Sequence, residues 1–550
     1  MKSGAASCKI YKLTWRIMAS EFEISCDQGG TALEEQKSGA RTIGMVMVIT
    51  LLGKVMGLYR DHLLAVHYGM GMEASAFYTA SRIPRVFFDA VFASAISACF
   101  IPVFSEYLES GGKKKAFAFS RSFLTVIGLV TLVLTALGTL CSGGLVTLFA
   151  DGYNAETAAL ASSLTRVMFP TVFFTGLAFS FVGILQSLDE FRIPALISAV
   201  SNAVIILYFW TMDEKFGVYG LAIAFLIGWA LQAFVQLPAL RKKGFFYRPV
   251  WDVRSEGMKK VFALMGPVMV STWVQPINLT VNSKFGSHLY EGAGVSAIEY
   301  ATNLYLVIAG VFILSITNVI FPKLSRLAAG DQGDAFMTTI RTTLHASLFF
   351  VLPMSAGLMV VARPLIAFVY GGGEFDDFSV QITSSALGWV SLGMAGYAVQ
   401  NILSRAYFAR QSGKVPLIAG AVSIGVNIVL CMALTESLAV SGLAIASAVS
   451  STVYALLLLL PMQKGEQKVL DGKFGLDLMK MLLATILMAA AAAGVVHLTG
   501  GLIAGKLGQL VTLGLGAAAG VAVYFIMTVL LRLEEAALTA SIVKQILKRG

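Results

Sequence analysis

The sequence predicts an all-α integral membrane protein of about fourteen transmembrane helices, built as two six-helix lobes from a parallel repeat plus two C-terminal helices. Three observations carry this expectation. The 550-residue chain is 57% hydrophobic and only 13% charged, with a mean hydropathy of +0.77, outside the range of soluble domains. Apolar stretches of spanning length, roughly 20 residues, recur throughout, among them Ser122 to Leu140, Leu221 to Leu240, Leu476 to Val496 and Leu510 to Leu531. The first half also recurs within the second, as detailed below.

Residues 1–41 mix basic and acidic side chains with no apolar h-region, so they read as a cytoplasmic tail and not as a secretory signal. Spans 1 to 6 are placed at 42–67, 74–106, 115–140, 155–187, 192–212 and 217–241, forming an N-lobe within 42–245. Spans 7 to 12 follow at 255–290, 294–327, 334–361, 377–408, 414–434 and 439–463, a C-lobe within 255–465. Spans 13 and 14, at 474–498 and 506–532, complete the set, and 533–550 is a second cytoplasmic tail. Several of these runs exceed a bilayer's thickness, so their ends project into water or their axes tilt.

Orientation follows from the connections. With the amino terminus inside, one set holds Lys113 to Lys115, Arg241 to Lys243, Arg248, Arg254, Lys259, Lys260, Lys323, Arg326, Arg410, Lys414, Lys464, Lys468 and Lys473. The opposite set, at 69–73, 151–156, 213–215, 291–294, 371–377 and 435–437, is nearly free of Lys and Arg. Positive charge is retained on the cytoplasmic side, which puts both termini inside. The net charge of +10 is therefore a topology signal and not a nucleic-acid footprint. The five cysteines lie far apart without CxxC spacing, which argues against zinc and disulfide frameworks.

The halves match in register: Pro102 recurs as Pro322, Arg121 as Arg341, Gly152 as Gly372, Pro194 as Pro416, and Gly220-Leu-Ala-Ile-Ala224 as Gly442-Leu-Ala-Ile-Ala446. Six helices per repeat give both halves the same orientation, related by an axis along the membrane normal. A cleft between two such bundles can open to either side.

Charge within the membrane marks the candidate site. An ionisable side chain there is costly unless it faces a cavity or a partner. Span 1 carries Lys54, Arg60 and Asp61, and span 2 carries Arg82, Arg85 and Asp89 along one face; together they sum to +2. A cationic intramembrane cavity suits a diphosphate, which Arg grips through paired hydrogen bonds. The alternative is that Arg60 pairs with Asp61 and Arg85 with Asp89, which leaves Lys54 and Arg82 unmatched. Span 7 offers a polar face of Gln275, Asn278 and Asn282, with Glu299 opening span 8. Asn427 alone is a weak coupling-ion candidate and reads as an interhelical hydrogen bond. Gly500 to Leu507 mimics a P-loop, but Leu507 stands where Ser or Thr should hold Mg²⁺. No hydrolase or metalloprotease motif is present, so an enzyme is not expected. Nor is any cofactor, beyond a coupling cation of unknown identity.

Gly57-Leu-Tyr-Arg60-Asp61, Ala76-Phe77 through Pro84, Phe100-Ile-Pro-Val-Phe104, Phe191-Arg-Ile-Pro194, Tyr370-Gly371 with Phe375, and Ala406-Tyr-Phe-Ala-Arg410-Gln411 leading to Lys414-Val-Pro416 together resemble the MurJ/MviN lipid II flippase family, of the multidrug/oligosaccharidyl-lipid/polysaccharide exporter superfamily. The resemblance covers 42 to about 532. It implies a V-shaped pair of lobes, a cationic cavity for the diphosphate and sugar of lipid II, and a groove by the last two helices for the polyprenyl tail. It places Arg60 and Asp61 on the family's first-span pair and Lys54 where an arginine is typical. Ser75 replaces a typical aspartate, Arg85 an asparagine and Phe88 an arginine, while Asn303 and Leu306 stand where an arginine and a glutamate are usual. The expected function is therefore transbilayer movement of lipid II in the bacterial cytoplasmic membrane, with membrane lipids as the other partners. The alternatives are a flippase for another polyprenyl-linked oligosaccharide and a cation-coupled multidrug exporter.

Overall fold

The computed structural model describes residues 30–88, 99–263, 273–330, 332–463, 468–500 and 505–536, apart from the side chains of 30–44, 275, 311, 314 and 318. Residues 1–49 and 50–550 form two compact units. In the first, the described residues are one run of helix; the packing below is that of the second.

In the N-terminal half the helices are α1 (Gly30–Tyr68), α2 (Met72–Phe88), α3 (Ile101–Leu140), α4 (Ser142–Phe149), α5 (Ala155–Met168), α6 (Thr171–Gln186), α7 (Arg192–Thr211), α8 (Asp213–Phe234) and α9 (Leu237–Lys242). A helical segment at 256–263 leads to α10 (Val274–Gly286), α11 (Ala293–Tyr305), α12 (Val311–Ala329), α13 (Gly333–Val360), α14 (Ala362–Val369), α15 (Asp377–Ser391), α16 (Met394–Ala409) and α17 (Lys414–Met462). Last come α18 (Gly472–Thr499) and α19 (Gly505–Leu530). Among the described residues there is no strand, only an isolated bridge between Gly372 and Phe375. Helix occupies part or all of each predicted span. Among the described residues eight helices are long and apolar enough to cross a membrane, or nine if the bent pair Tyr290–Gly310 and Ser315–Ala329 is one span. Helix α1 is already formed at Gly30, ahead of the expected span at 42–67, and Ala32 to Lys37 are strong helix formers on which an existing helix propagates.

The repeat is visible in its breaks. The eight-residue α4 and α14 occupy equivalent positions, 142–149 and 362–369. Each is followed by a helix with a side-chain cap: Asn154 accepts from the Thr157 amide and Asp376 from the Ser379 amide, both at 2.8 Å, filling orphan donors of the first turn. The chain then turns sharply at Gly217 (φ 50°, ψ −150°) inside α8 and at Ala439 (φ 48°, ψ −129°) inside α17. The second break divides α17 where spans 11 and 12 were expected to part. Arg121 donates to the Phe246 carbonyl and Arg341 to the Val469 carbonyl, at 2.9 and 3.2 Å. Each of these equivalent arginines ties down the segment leaving its own half.

Among the described residues the buried apolar side chains divide into three clusters. One joins both halves, from Leu63 to Ile83 of α1 and α2 through Tyr300, Tyr370 and Phe375 to Leu443. The second is confined to the N-terminal half and the segment after it, from Phe88 to Val261. The third lies between Val274 and Ala536. The shared cluster lies toward the loops poor in Lys and Arg, termed here the outer end after the charge-based expectation.

The last two helices belong to the third cluster. Helix α18 packs on α13, and α19 on α14. The Tyr524 hydroxyl donates to the Phe349 carbonyl at 2.6 Å. His345 of α13 sits between two carboxylates, its Nδ1 on Glu535 and its Nε2 3.5 Å from Asp477.

Candidate functional site

Along the outer end the halves meet through backbone and short side chains. The Tyr300 hydroxyl donates to the Gly69 carbonyl at 3.0 Å, and the Glu374 amide to the Val66 carbonyl at 2.9 Å. Gly69 has φ +56° and a Cβ there would stand 2.4 Å from the Glu374 carbonyl oxygen, so only glycine allows that approach. Ser75 and Ser296 meet at 3.1 Å, and each also donates to the Met70 carbonyl. These serines are equivalent in the repeat, and contact between equivalent positions is what a two-fold relation between the halves produces. Ser75, a sequence-based candidate, is thus a buried strut of the seam.

The outermost contact is electrostatic. Asp151, in the loop after α4, meets Lys284 at 3.1 Å and His288 at 3.0 Å. Partial burial pushes its carboxyl up, but the hydrogen bonds from Lys284 and His288 outweigh this and hold it below the usual carboxylate range. A depressed acid keeps its partners above its own pKa and loses them as pH falls through that value. Acidification is therefore expected to leave this latch intact across the ordinary carboxylate range and to release it only below. Spin labels at Glu156 and Glu291 should report that step as a widening, and Asp151→Asn should erase it.

Below the seam lie the charges of the expected spans 1 and 2. Arg60 donates from Nε and Nη2 to one oxygen of Asp61, at 2.9 and 2.6 Å, and from Nη1 to the Asn202 side chain of α7 at 3.1 Å. The adjacent pair expected as the alternative reading is therefore present. Asp61 is buried, and the Arg60 side chain is 27% exposed. The edge-on rings of Tyr78 and Tyr300, from the two halves, are 5.1 Å apart between centroids.

Arg82 corrects an expectation. It is not left unmatched: its guanidinium binds the Glu299 carboxylate of α11 directly and donates to the Leu279 carbonyl of α10 at 3.2 Å. Both partners come from the second half, and both charged side chains are nearly excluded from solvent, at 9% and 11%. Sequence reasoning noted Glu299 but did not pair it. The signal was a carboxylate inside an apolar run, which demands a counter-ion.

One turn further from the outer end the side chains emerge. Arg85 on α2, three residues after Arg82, is exposed, and Asn303 on α11, four after Glu299, is half-buried. Lys54 is exposed as well. It lies seven residues before Asp61, on the same face of α1 and about 10 Å along the axis. Lys54, Arg85 and Asn303 therefore border the inner edge of the seam, with Arg60–Asp61 and Arg82–Glu299 forming its last closed layer.

The polar face of α10 divides. Asn282 turns into its own half, donating to Ser447 at 2.7 Å and accepting from Asn427 at 3.2 Å, so it holds helices together and is not a cavity-facing ligand. The physical reason is that a buried amide must be satisfied, and α17 supplies the partners. Asn427 makes the interhelical bond expected of it. Asn278 is half-buried, one residue before the carbonyl that Arg82 uses. Asp89 and the Gln275 side chain lie outside the described residues. Among the described residues no cluster of His, Cys, Asp and Glu could hold a metal ion.

A family model described as lipid II flippase MurJ matches residues 64–513. The chain is 32% identical over 419 residues to the probable lipid II flippase MurJ of Vibrio cholerae, spanning 74% of this chain and 79% of that protein. It is 31% identical over 464 residues to the counterpart in Haemophilus influenzae, spanning 80% and 90%. A solved structure of lipid II flippase MurJ in an inward closed conformation matches with a TM-score of 0.72 at 26% identity, over 88% of this chain and 98% of that one. An inward-facing MATE family multidrug transporter matches with a TM-score of 0.63 at 15% identity, over 80% and 97%, a likeness of fold alone.

Proposed function

This chain belongs to the lipid II flippase MurJ family, and we propose that Lys54, Arg60 and Arg85 receive the substrate diphosphate at the inner edge of the seam described above. The chain is a multi-pass protein of a bacterial transport family, placed by that membership in the inner membrane. Its function is that of a lipid II flippase, which carries the polyprenyl-diphosphate-linked wall precursor from the inner to the outer leaflet.

One observation supports the site: among the described residues the buried core that the two halves share lies at one end, and the exposed cations Lys54 and Arg85 lie just beyond its last layer. With the basic connections inside, that end faces outward, both termini are cytoplasmic, and the chain crosses fourteen times. The cations then face the leaflet in which the precursor is made. A diphosphate is the anion they fit, because Arg and Lys bind phosphate through charge-assisted hydrogen bonds. Parting of the seam and closure of the inner side would deliver the headgroup outside, which is alternating access between repeats. The reading assigns no cofactor; membrane potential or an ion gradient drives the cycle.

Ser75, Asn303 and Leu306, where the family usually carries charge, favour one second reading, a different polyprenyl-linked oligosaccharide. The test is rescue of cells depleted of their own lipid II flippase. The wild-type chain should restore growth and outer-leaflet lipid II, and the Lys54→Ala/Arg85→Ala variant, at equal expression, should not. Failure of the wild-type chain to restore exposed lipid II in a host that inserts it correctly would sink the assignment.

A further inference from the structure

Glu299 occupies the place on Arg82 that an incoming anion would need. A guanidinium offers five N–H donors in a planar fork, and a carboxylate and a phosphate compete for the same edge of it. Arg82 gives part of that fork to Glu299 and part to the Leu279 carbonyl, both on the opposite half. Thr79 and Ile83 beside it, and Ile298 and Tyr300 beside Glu299, are all buried. On the inner side this dry layer ends within one turn, at exposed Arg85 and half-buried Asn303. The pair is therefore the part of the seam nearest to the proposed diphosphate seat.

We propose that Glu299 is a displaceable stand-in for the substrate: it neutralises Arg82 in the empty carrier, and the outer seam parts only when a lipid-linked diphosphate takes its place. The proposal rests on the lipid II reading and adds to it a residue that makes opening conditional on cargo. Once Arg82 turns to the diphosphate, Glu299 is left as an uncompensated charge in a dry layer. That state is strongly disfavoured and is relieved when α2 and α11 separate and water reaches the carboxylate. A ligand shifts a two-state equilibrium only through its different affinity for the two states. Here the difference is built in, because Arg82 is fully available to an anion only when the seam is open.

The test places a single cysteine in the seam, Ser296→Cys, in a chain whose five native cysteines are Ser, and measures labelling by a membrane-impermeant maleimide in proteoliposomes. With Glu299 in place, labelling should be slow, and lipid II should accelerate it at least about tenfold. Adding Glu299→Gln should make labelling fast without lipid II. The charge swap Arg82→Glu/Glu299→Arg should restore slow labelling, which a merely misfolded variant would not do. Inorganic pyrophosphate serves as a second probe: acceleration by lipid II alone assigns the trigger to the lipid-linked diphosphate, and acceleration by both assigns it to the shared anion. Slow labelling of Glu299→Gln, equally fast labelling of Glu299→Gln and the swap, or no response to either probe overturns the proposal. If rescue fails in cells but the Gln variant and the swap behave as stated, the ion-pair latch stands and the substrate reading falls.

Discussion

Arg60→Ala is expected to abolish rescue of flippase-depleted cells and to destabilise the protein on the order of 3 kcal/mol. Two effects combine. Arg60 gives three hydrogen bonds, two to Asp61 and one to Asn202, and removing it leaves a buried carboxylate with no counter-ion. It also deletes a cation at the edge of the diphosphate seat. The effects separate in a second variant, Arg60→Gln/Asp61→Asn, which carries no buried charge and should recover most of the lost melting temperature while still failing to support growth. Arg60→Lys keeps the charge but loses the planar fork, and should fall between. Measured melting curves in detergent and growth at matched expression decide this. Normal rescue by the Gln/Asn variant would show that Arg60 serves folding alone.

The second large effect is a dissociation of stability from transport at the inner layer of the seam. Arg82→Met alone should cost about 3–5 kcal/mol, because Glu299 stays buried without a partner. Arg82→Met/Glu299→Leu replaces the pair by apolar groups of similar volume and is expected to be as stable as the wild type, or more stable by about 1–4 kcal/mol. Yet it should not transport, since the side chain that would pass from Glu299 to the diphosphate is gone and the seam has become permanently apolar. A double variant that melts higher and still sustains growth would remove Arg82 from the transport cycle. Because the two residues touch, their effects should be far from additive.

Much of this architecture was legible in the chain. Spanning length, the segregation of Lys and Arg, and the recurrence of Pro102 as Pro322 needed only composition and spacing, because a bilayer imposes its thickness and its charge asymmetry on any sequence that crosses it. The intramembrane charges were legible as a group for the same reason. Their pairing was not. Arg82 and Glu299 are 217 residues apart, and nothing local says which acid answers which base when two halves close on each other. Asn282 was misplaced for a related reason: helical phase puts it on one face with Asn278, but only the packing of α17 reveals that this part of the face looks into its own half. The breaks at Gly217 and Ala439 were visible as span boundaries, though Ala439 adopts a left-handed conformation without being glycine, which sequence alone would not propose.

The attachment of the last two helices has a mechanical outcome. Through His345, Asp477, Glu535 and the Tyr524 hydroxyl they are bolted to α13, while their other neighbour, α14, also belongs to the second half. When the halves swing apart, α18 and α19 travel as freight on one of them. The moving masses are then unequal, the second half being the heavier by α18 and α19. A long isoprenoid chain resting against the heavier side would be towed along with it, without having to let go and be caught again at each turnover.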